Sequence, residues 1–486
     1  MKTLAESRRM LLIAVLILVA GVAAAQDPLV APVTPTLPPP GSADFLTPLT
    51  PEPIPIDQAL EGRVRIVGKP ARKVILFICD GMAASALTFA RALVPERRLE
   101  LDRFPVVGRV IGKPVAGEVN DSAAAGSALS TGFPGRNGQV ALDDQGEPRR
   151  TLFEEVRQRG FRVGLVSDTR LSHATPAAFG AHVPDRADEA EIARQLLQSG
   201  FDVMLSGGLQ VFLPAEEGGR QPRGRRLLDE AAAAGYTVAR TRDDLVAAAS
   251  RNAARVLGLF APSFLPYRHD PASRDGPGLP ELTAAALTLL DRGPNGFLLM
   301  VEAGLIDPVL HQSDPAELLA QMQEMDKALR VVADFTRGRT DALVVVVSDH
   351  GTGGLQITGA FAPDRFLALA TSTIGLAARL DPADPKLGDR LSQAVPGLTF
   401  TEADLAFLRD GEAKTFPHRL GDLVGRRLGL AFLPVKGEYG HGDADGHTGE
   451  DLFLHALGCH QGLFGGVTRQ TDIPRRLAAA MGLRFP

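Results

Sequence analysis

The sequence is poor in cysteine and in the larger aromatic residues, and these shortages exclude several kinds of site. Its 486 residues include 2 cysteines, 3 tyrosines and no tryptophan. Two cysteines without a Cys-x-x-Cys motif supply neither a disulfide framework nor a thiolate zinc site. Without tryptophan and with so few tyrosines, the chain also has little surface on which bases or sugars could stack.

An excess of positive charge is also missing. Lys and Arg number 52 against 57 Asp and Glu, which gives a net charge of −5. A general nucleic-acid binder is expected to be basic, so we exclude nucleic acid as a specific partner. Hydrophobic residues make up 45% and charged residues 22% of the chain, which is the composition of a globular protein rather than of a disordered chain or a fibre.

Residues 1–25 have the pattern of a signal peptide. Lys2 and Arg8 precede an apolar run at 10–22, and small residues at 23–25 provide a cleavage site. The run is shorter than the ~20 residues that span a bilayer, so we expect cleavage rather than a retained anchor. This predicts a periplasmic or secreted protein without stable membrane insertion.

Residues 26–68 are predicted to be a Pro-rich tether. Ten prolines fall within 27–56, and a stretch of this kind is extended and solvated rather than packed. We expect it to hold the folded catalytic domain, residues 69–486, away from a surface.

The rest of the chain alternates β-rich apolar runs with amphipathic segments. The predicted strands are Val74–Ile78, Val163–Val166, Val203–Leu205, Val256–Phe260, Gly296–Val301 and Leu343–Val347. The predicted helices include Leu152–Arg159, Ala187–Gln198, Leu282–Leu290 and Pro315–Phe335. Several strands are apolar at every position, as in a parallel sheet covered on both faces. We therefore predict an α/β fold with a doubly wound, mostly parallel sheet flanked by helices.

Ionisable residues follow three of these predicted strands. They are Asp80; Glu302, Asp307 and His311; and Asp349 and His350. Active sites in such folds lie beyond the carboxyl ends of the strands, so we expect these side chains to meet. Carboxylates with neutral imidazoles suit zinc, and an all-oxygen subsite suits magnesium.

Asp307 and His311 are spaced i, i+4, which places both on one face of a helix. Pro308 favours a helix that begins at that point. A zinc ion could bridge the pair, and a third ligand from elsewhere would leave a position open for substrate or water.

Ser122 stands at the start of a helix of small residues, with Asp121 or Asn120 as its N-cap. The positive end of a helix dipole and its free backbone N–H groups favour an anion there. The Gly-x-Ser-x-Gly motif of α/β-hydrolases is absent, which disfavours a Ser–His–Asp esterase.

From about Lys73 to the C terminus the chain resembles the alkaline phosphatase family. The matching stretches follow the order of the family: 74–82, 121–124, 174–178 with 181–186, 301–311, 348–354 and 446–451. The resemblance implies an exported phosphomonoesterase with two zinc ions and one magnesium ion, acting on small-molecule phosphate monoesters as a homodimer. Residues 355–440 match the family poorly and are predicted to form an insertion near the active site.

The resemblance also implies the roles of individual residues. Ser122 matches the nucleophile that becomes phosphoserine, and Arg186 matches the guanidinium that clamps the phosphate. The implied metal ligands are Asp349 and His350 for the zinc beside the nucleophile; Asp307, His311 and His447 for the other zinc; and Thr175 and Glu302 for the third metal, with Asp80 bridging the first and third.

Two residues depart from one pattern within the family, in which Asp and Lys occupy the positions of His173 and Pro308. His173 lies two residues before Thr175 and is a candidate neighbour of the third metal. The identity of this ion stays open between magnesium and a competing zinc or cobalt ion.

Two further assignments have alternatives. His441 competes with His447 as a zinc ligand, and we prefer His447 because its surrounding residues resemble those of the family. Cys79 is expected to be a buried, inert thiol, although pairing with Cys459 is the alternative.

A phosphodiesterase of the same superfamily and a catalytically silent metal or phosphate binder are the alternatives to a monoesterase. A sulfatase is disfavoured, because neither Cys79 nor Ser122 lies in the Cys- or Ser-x-Pro-x-Arg motif that a sulfatase requires.

Overall fold

A ten-stranded sheet runs through the part of the chain that the structure describes. The structure is a computed structural model and describes residues 68–269, 276–434 and 444–486. The predicted signal peptide, nearly all of the predicted tether and His441 lie outside these ranges. The strands of the sheet are β1 (Lys73–Cys79), β2 (Val106–Ile111), β3 (Arg162–Arg170), β4 (Val203–Gly207), β5 (Thr237–Ala239), β6 (Val256–Leu259), β7 (Phe297–Ala303), β8 (Ala342–Val347), β13 (Leu452–Gly458) and β14 (Gly466–Arg469).

Four short strands form two small ribbons beside the large sheet. In one ribbon β9 (Gly351–Thr352) pairs with β12 (His447–Thr448), and in the other β10 (Gln356–Ile357) pairs with β11 (Leu430–Ala431). The first ribbon joins the segment after β8 to the segment that carries His447.

The helices of the described ranges alternate with the strands along the chain, and helices pack on both faces of the large sheet. They are α1 (Ala84–Leu93), α2 (Ser122–Thr131), α3 (Leu152–Gln158), α4 (Ala174–Ala177), α5 (Glu189–Ser199), α6 (Leu227–Ala233), α7 (Arg242–Ser250), α8 (Leu279–Leu290), α9 (Ile306–His311), α10 (Pro315–Thr336), α11 (Pro363–Leu367), α12 (Thr373–Ala377), α13 (Leu387–Ala394), α14 (Glu402–Arg409), α15 (Phe416–Arg427) and α16 (Ile473–Ala480). Among these helices none has the length and apolar character needed to cross a bilayer.

The strand order is β14-β2-β13-β8-β1-β7-β3-β4-β6-β5. Within the described sheet β13 alone runs against the other strands, since it pairs antiparallel with both β2 and β8. The predicted fold class, a mostly parallel sheet flanked by helices, is confirmed.

Two apolar layers cover the sheet. Along β1 the side chains alternate, so that Ile75 and Phe77 pack on one layer and Val74 and Leu76 on the other. Helices α8 and α10 belong to the first layer, and α3, α5 and α16 to the second. Burial on both faces explains why β1 is apolar at nearly every position.

The register of the central strands brings carboxylates together. Ile78 of β1 pairs with Glu302 of β7 and with Val347 of β8. Asp80 lies two residues after Ile78, and Asp349 lies two residues after Val347, just beyond the ends of β1 and β8. Three acidic residues from adjacent strands therefore reach one edge of the sheet.

Two local details refine the predicted elements. A capping box formed by Thr151 and Glu154 begins α3. Helix α9 begins at Ile306 rather than at Pro308, which is third in the helix. Proline is tolerated there because the first-turn N–H groups have no partner within the helix.

Both cysteines are free thiols. Cys79 is fully buried, and its Sγ lies 3.4 Å from Sδ of Met325. Cys459 is partly buried at the end of the sheet. The expectation of an inert, buried Cys79 agrees with this packing.

Candidate active site

Three groups of side chains at the carboxyl edge of the sheet could each hold a metal ion. They are Asp80, Asp307 and His350; Asp307, His311 and His447; and Asp80, His173 and Glu302. Within each group the candidate ligand atoms lie within 4.8 Å of one another. Because Asp80 and Asp307 each belong to two groups, the three form one connected cluster.

Ser122 is the first residue of α2 and faces the first of these groups. Its N-cap is Asp121, whose side chain accepts a hydrogen bond of 2.8 Å from the backbone N–H of Ala124. The Ser122 Oγ lies 3.2 Å from Nε2 of His350. The same Nε2 lies 3.3 Å from Oδ2 of Asp349 and 3.5 Å from Oδ1 of Asp80.

A neighbouring hydroxyl fixes the tautomer of His350. Thr352 Oγ1 donates a hydrogen bond of 2.6 Å to Oδ1 of Asp307, so it accepts from Nδ1 of His350 at 3.1 Å. The Nε2 of His350 therefore carries a lone pair and faces Ser122. Burial lowers the pKa of His350 well below its ordinary value, so the ring is neutral, as a metal ligand must be.

The second group lies where α9 meets the ribbon of β9 and β12. His311 Nε2 lies 3.1 Å from His447 Nε2 and 3.4 Å from Oδ1 of Asp307, and His447 Nε2 lies 3.7 Å from the same oxygen. His447 Nδ1 donates to the carbonyl of Asn120 at 2.8 Å, because a carbonyl only accepts. The other ring nitrogen, Nε2, faces the group.

The third group surrounds Glu302, which is fully buried. Its Oε1 lies 3.5 Å from Nδ1 of His173. Its Oε2 accepts hydrogen bonds from the hydroxyls of Ser167 and Thr169 on the adjacent strand β3. Thr175 Oγ1 donates to Asp80 Oδ2 at 3.2 Å, and Asp80 links this group to the first.

Arg186 contacts both Asp121 and His173. One guanidinium nitrogen donates to Oδ2 of Asp121 at 3.0 Å, and the other lies 3.4 Å from Nε2 of His173. The side chain keeps about a quarter of its surface exposed. The guanidinium is therefore held between the N-cap of α2 and the third group, and part of its surface remains accessible to a ligand.

The electrostatics of the cluster fit bound cations. Burial raises the pKa of Asp349 to about 8 and that of Asp80 well above its usual value, and repulsion from neighbouring carboxylates adds to both. Burial would raise the pKa of Asp307 as well, but the imidazoles of His311 and His447 hold it below its ordinary value. Carboxylates crowded in this way are stabilised by positive charge.

Several buried atoms of the cluster point to the same conclusion. The set is Oδ1 of Asp80, Oδ2 of Asp349, Oε1 of Glu302 and Nδ1 of His173, and none of them has a hydrogen-bond partner within the described residues. Buried polar atoms are normally paired, so an unpaired set facing one space indicates ligands of ions. Each group combines carboxylate oxygens with imidazole nitrogens, a donor set that suits a divalent metal ion.

The predicted site residues that the structure describes lie together in this one region, whereas His441 is outside the described ranges. Asp121, rather than Asn120, is the N-cap of α2. The neighbours that orient the candidate ligands were missed: Ser167, Thr169, Thr352, Asn120 and Gln470. The only local indication of the role of Thr352 was its hydroxyl, three residues after Asp349. Gln470 is 121 positions from Asp349, and no local pattern indicated its role.

A sequence model of the alkaline phosphatase family matches residues 71–375. The chain belongs to the alkaline phosphatase family. It is accordingly an enzyme with alkaline phosphatase activity.

Similar proteins agree with this assignment. The crystal structure of Thermus thermophilus alkaline phosphatase shares 30% identity at a TM-score of 0.76, covering 89% of this chain and 96% of its own. The cold-active alkaline phosphatase of Shewanella sp. shares 29% at a TM-score of 0.72, covering 84% and 99%. Alkaline phosphatase 3 of Bacillus subtilis is 28% identical over 430 residues, covering 84% of this chain and 89% of its own.

Proposed function

We propose that this enzyme hydrolyses phosphate monoesters through a phosphoserine formed on Ser122, at a site for two zinc ions and a third ion. The observation that carries the proposal is the position of the Ser122 hydroxyl. It lies 3.2 Å from the unprotonated Nε2 of His350 and beside a cluster of candidate metal ligands. A dianionic phosphate needs concentrated positive charge in a protein whose net charge is −5.

The ligand assignment builds on the three groups and adds Asp349, which lies 3.3 Å from His350, and Thr175, which donates to Asp80. Asp349 and His350 would hold the zinc ion beside Ser122, and Asp307, His311 and His447 would hold the other zinc ion. Asp80 would contribute to the first zinc site and also to the site of a third ion, which Thr175 and Glu302 would help to hold. The third ion is proposed as magnesium, with zinc or cobalt as competitors because His173 adds a nitrogen beside it.

In the reaction, Ser122 Oγ attacks the phosphorus atom and the alcohol departs. The phosphoryl group is then carried on Ser122 until water cleaves it and releases phosphate. When bound, the metal ions supply charge that stabilises the attacking and leaving oxygens and lowers the pKa of a coordinated hydroxyl or water. The N terminus of α2 adds its backbone dipole to the same side.

Arg186 would bind two non-bridging oxygens of the phosphate with its planar fork. Its hydrogen bond to Asp121 holds the guanidinium in place before substrate arrives. Asp121 also caps α2, so one carboxylate aligns both the nucleophile helix and the phosphate-binding residue.

The cellular setting is part of the proposal. Residues 1–25 would direct export and be cleaved, and the tether at 26–68 would precede the catalytic domain at 69–486. The enzyme would act in the periplasm or outside the cell as a homodimer. Residues 355–440, which include α11 to α15, would form an insertion that shapes access to the site.

The test compares Ser122→Ala with Ser130→Ala, a buried serine in the same helix whose Oγ donates to the backbone of Ser127. Purified protein is loaded with zinc and magnesium and mixed with p-nitrophenyl phosphate and with bis-p-nitrophenyl phosphate. Phosphoserine is trapped with labelled phosphate at low pH and located by mass spectrometry. We expect label on Ser122 in the wild type and in Ser130→Ala, none in Ser122→Ala, and faster turnover of the monoester.

Three results would contradict the proposal. Label on another residue would remove Ser122 as nucleophile, and faster turnover of the diester would favour a phosphodiesterase. Absence of turnover after zinc is restored to chelated protein would favour a silent metal or phosphate binder.

A further inference from the structure

A pair of buried amide side chains lies directly behind the candidate active site. Asn120 and Gln470 are 4% and 2% exposed. Asn120 Nδ2 donates to Oε1 of Gln470 at 2.7 Å, and Gln470 Nε2 donates to the backbone carbonyl of Asp349 at 2.6 Å. Neither side chain belongs to the groups that could hold a metal ion.

The orientation of both amides is fixed by chemistry. The carbonyl of Asp349 can only accept, so Gln470 must present its nitrogen there and its oxygen to Asn120. Asn120 must then present its nitrogen to Gln470. The pair therefore forms a directional chain of hydrogen bonds and has no equivalent flipped arrangement.

The backbone of Asn120 extends this chain to a third element. Its carbonyl accepts the hydrogen bond from Nδ1 of His447, which leaves Nε2 of that ring free to face the second group. Asn120 also lies two residues before Ser122. Through their side chains and the backbone carbonyl of Asn120, these two residues thus connect Asp349, the residues that precede Ser122 and the ring of His447.

The surroundings leave the pair little freedom. A Cβ atom at Gly112 would lie 3.0 Å from Nδ2 of Asn120 and 3.1 Å from Oε1 of Gln470. The backbone after β2 therefore packs against both amides. A leucine at position 470 has similar volume and would fill the space, so a tightly bonded amide is not needed for packing alone.

We infer that Gln470 is a positioning residue for the proposed reaction: through Asn120 it sets the placement of Ser122 relative to Asp349 and His447. The inference rests on the proposed function. Residues that orient metal ligands from behind change metal affinity or activity by about 10–100-fold when they are lost.

The experiment compares Gln470→Leu with Gln221→Leu. Gln221 is equally buried and donates to two backbone carbonyls, those of Ala190 and Val211, so its loss removes the same chemical group from elsewhere in the fold. Thermal unfolding, zinc affinity by competition with a chromogenic chelator, and kcat and KM for p-nitrophenyl phosphate at saturating zinc are measured for both variants.

We expect both variants to lose thermal stability. Only Gln470→Leu should weaken zinc binding or lower kcat by about 10–100-fold. KM should change little, because Gln470 lies behind the ligands and does not contact substrate. If zinc affinity and kcat of Gln470→Leu match those of Gln221→Leu, Gln470 serves packing only and the inference is wrong.

A second pair of variants decides the matter if Gln470→Leu does not fold. Gly112→Ala presses a methyl group against the amide pair without removing a hydrogen-bonding group, whereas a Cβ at Gly359 meets nothing within 4 Å. We expect a smaller loss of kcat in Gly112→Ala only; equal kcat and zinc affinity in Gly112→Ala and Gly359→Ala would overturn the inference.

The proposed function is judged separately. Label on Ser122 and turnover by the wild type test that function. The zinc affinity of Gln470→Leu relative to wild type tests the positioning role even if no monoester is hydrolysed.

Discussion

Replacing Thr352 with valine tests how strongly a single hydroxyl organises the site. Thr352 Oγ1 donates to Asp307 at 2.6 Å and accepts from His350 at 3.1 Å, and it is almost fully buried. Valine keeps the volume and removes the hydroxyl. Asp307 then loses a donor, and the buried N–H of His350 loses its acceptor.

The magnitude follows from the hydrogen bond to the charged carboxylate of Asp307. A hydrogen bond to a charged group contributes about 1.5–3 kcal/mol. If the whole loss falls on the metal-bound state, the zinc dissociation constant rises about 10- to 150-fold. Since Asp307 and His350 belong to the two proposed zinc sites, both binding steps should weaken.

Zinc titration of chelated protein against a chromogenic competitor provides the assay. Thr352→Ser keeps the hydroxyl and should bind zinc nearly as well as the wild type. Thr283→Val is the matched control, because Thr283 is buried and its hydroxyl donates only within α8, to the carbonyl of Leu279. A zinc affinity of Thr352→Val equal to that of Thr283→Val would refute the reasoning.

Three further predictions concern other parts of the molecule. Arg186→Ala should weaken inhibition by inorganic phosphate about 10-fold or more while some turnover remains. Arg186→Lys should recover only part of that inhibition, because lysine lacks the planar guanidinium fork. An inhibition constant unchanged in Arg186→Ala would show that Arg186 does not bind phosphate. Burial opposes both charges of the His182–Glu154 pair, yet their hydrogen bond raises the pKa of His182 above 6.5 and lowers that of Glu154 below 4.5. The stabilisation from His182 is present below pH 6.5 and is lost as pH rises through its raised pKa, so Glu154→Gln should lower the melting temperature more at pH 6 than at pH 9, and equal losses would contradict this. Gly81 has φ +76° and a Cβ there would lie 2.9 Å from another atom, whereas Gly146 has φ +83° and nothing within 4 Å of a Cβ. Both alanine variants should therefore lose about 1–2 kcal/mol of unfolding free energy to backbone strain, and Gly81→Ala should lose more. Chemical denaturation measures both, and equal losses would show that the neighbours of Gly81 move to accept the methyl group.

The parts of the fold that sequence patterns predicted are those buried on both faces. β1, β7 and β8 are apolar at nearly every position because helices cover both sides of the sheet. Their carboxylates could be foreseen at one edge because parallel strands end on the same side.

The outer strands gave a weaker signal. β2 alternates buried and exposed residues and carries Gly108 and Arg109, and β14 is mostly exposed, so neither forms an apolar run. β5 is only three residues long. Short, half-exposed strands at a sheet edge cannot be separated from loops by hydrophobic pattern alone.

The residues behind the ligands were unpredictable for a different reason. Gln470 and Asn120 are 350 positions apart and meet only after the sheet has formed. Arg186 and its partner Asp121 are 65 positions apart. Contacts of this kind depend on tertiary structure, which local spacing does not encode.

The reversed direction of β13 has a consequence for how such sites are assembled. A parallel strand delivers the residues that come after it to the reactive edge, whereas an antiparallel strand delivers the residues that come before it. His447 precedes β13 by five positions and so arrives at the same edge as Asp80 and Asp349, which trail their strands. In mixed sheets, the segment upstream of a reversed strand is therefore as good a place to look for a ligand as the segment downstream of its neighbours.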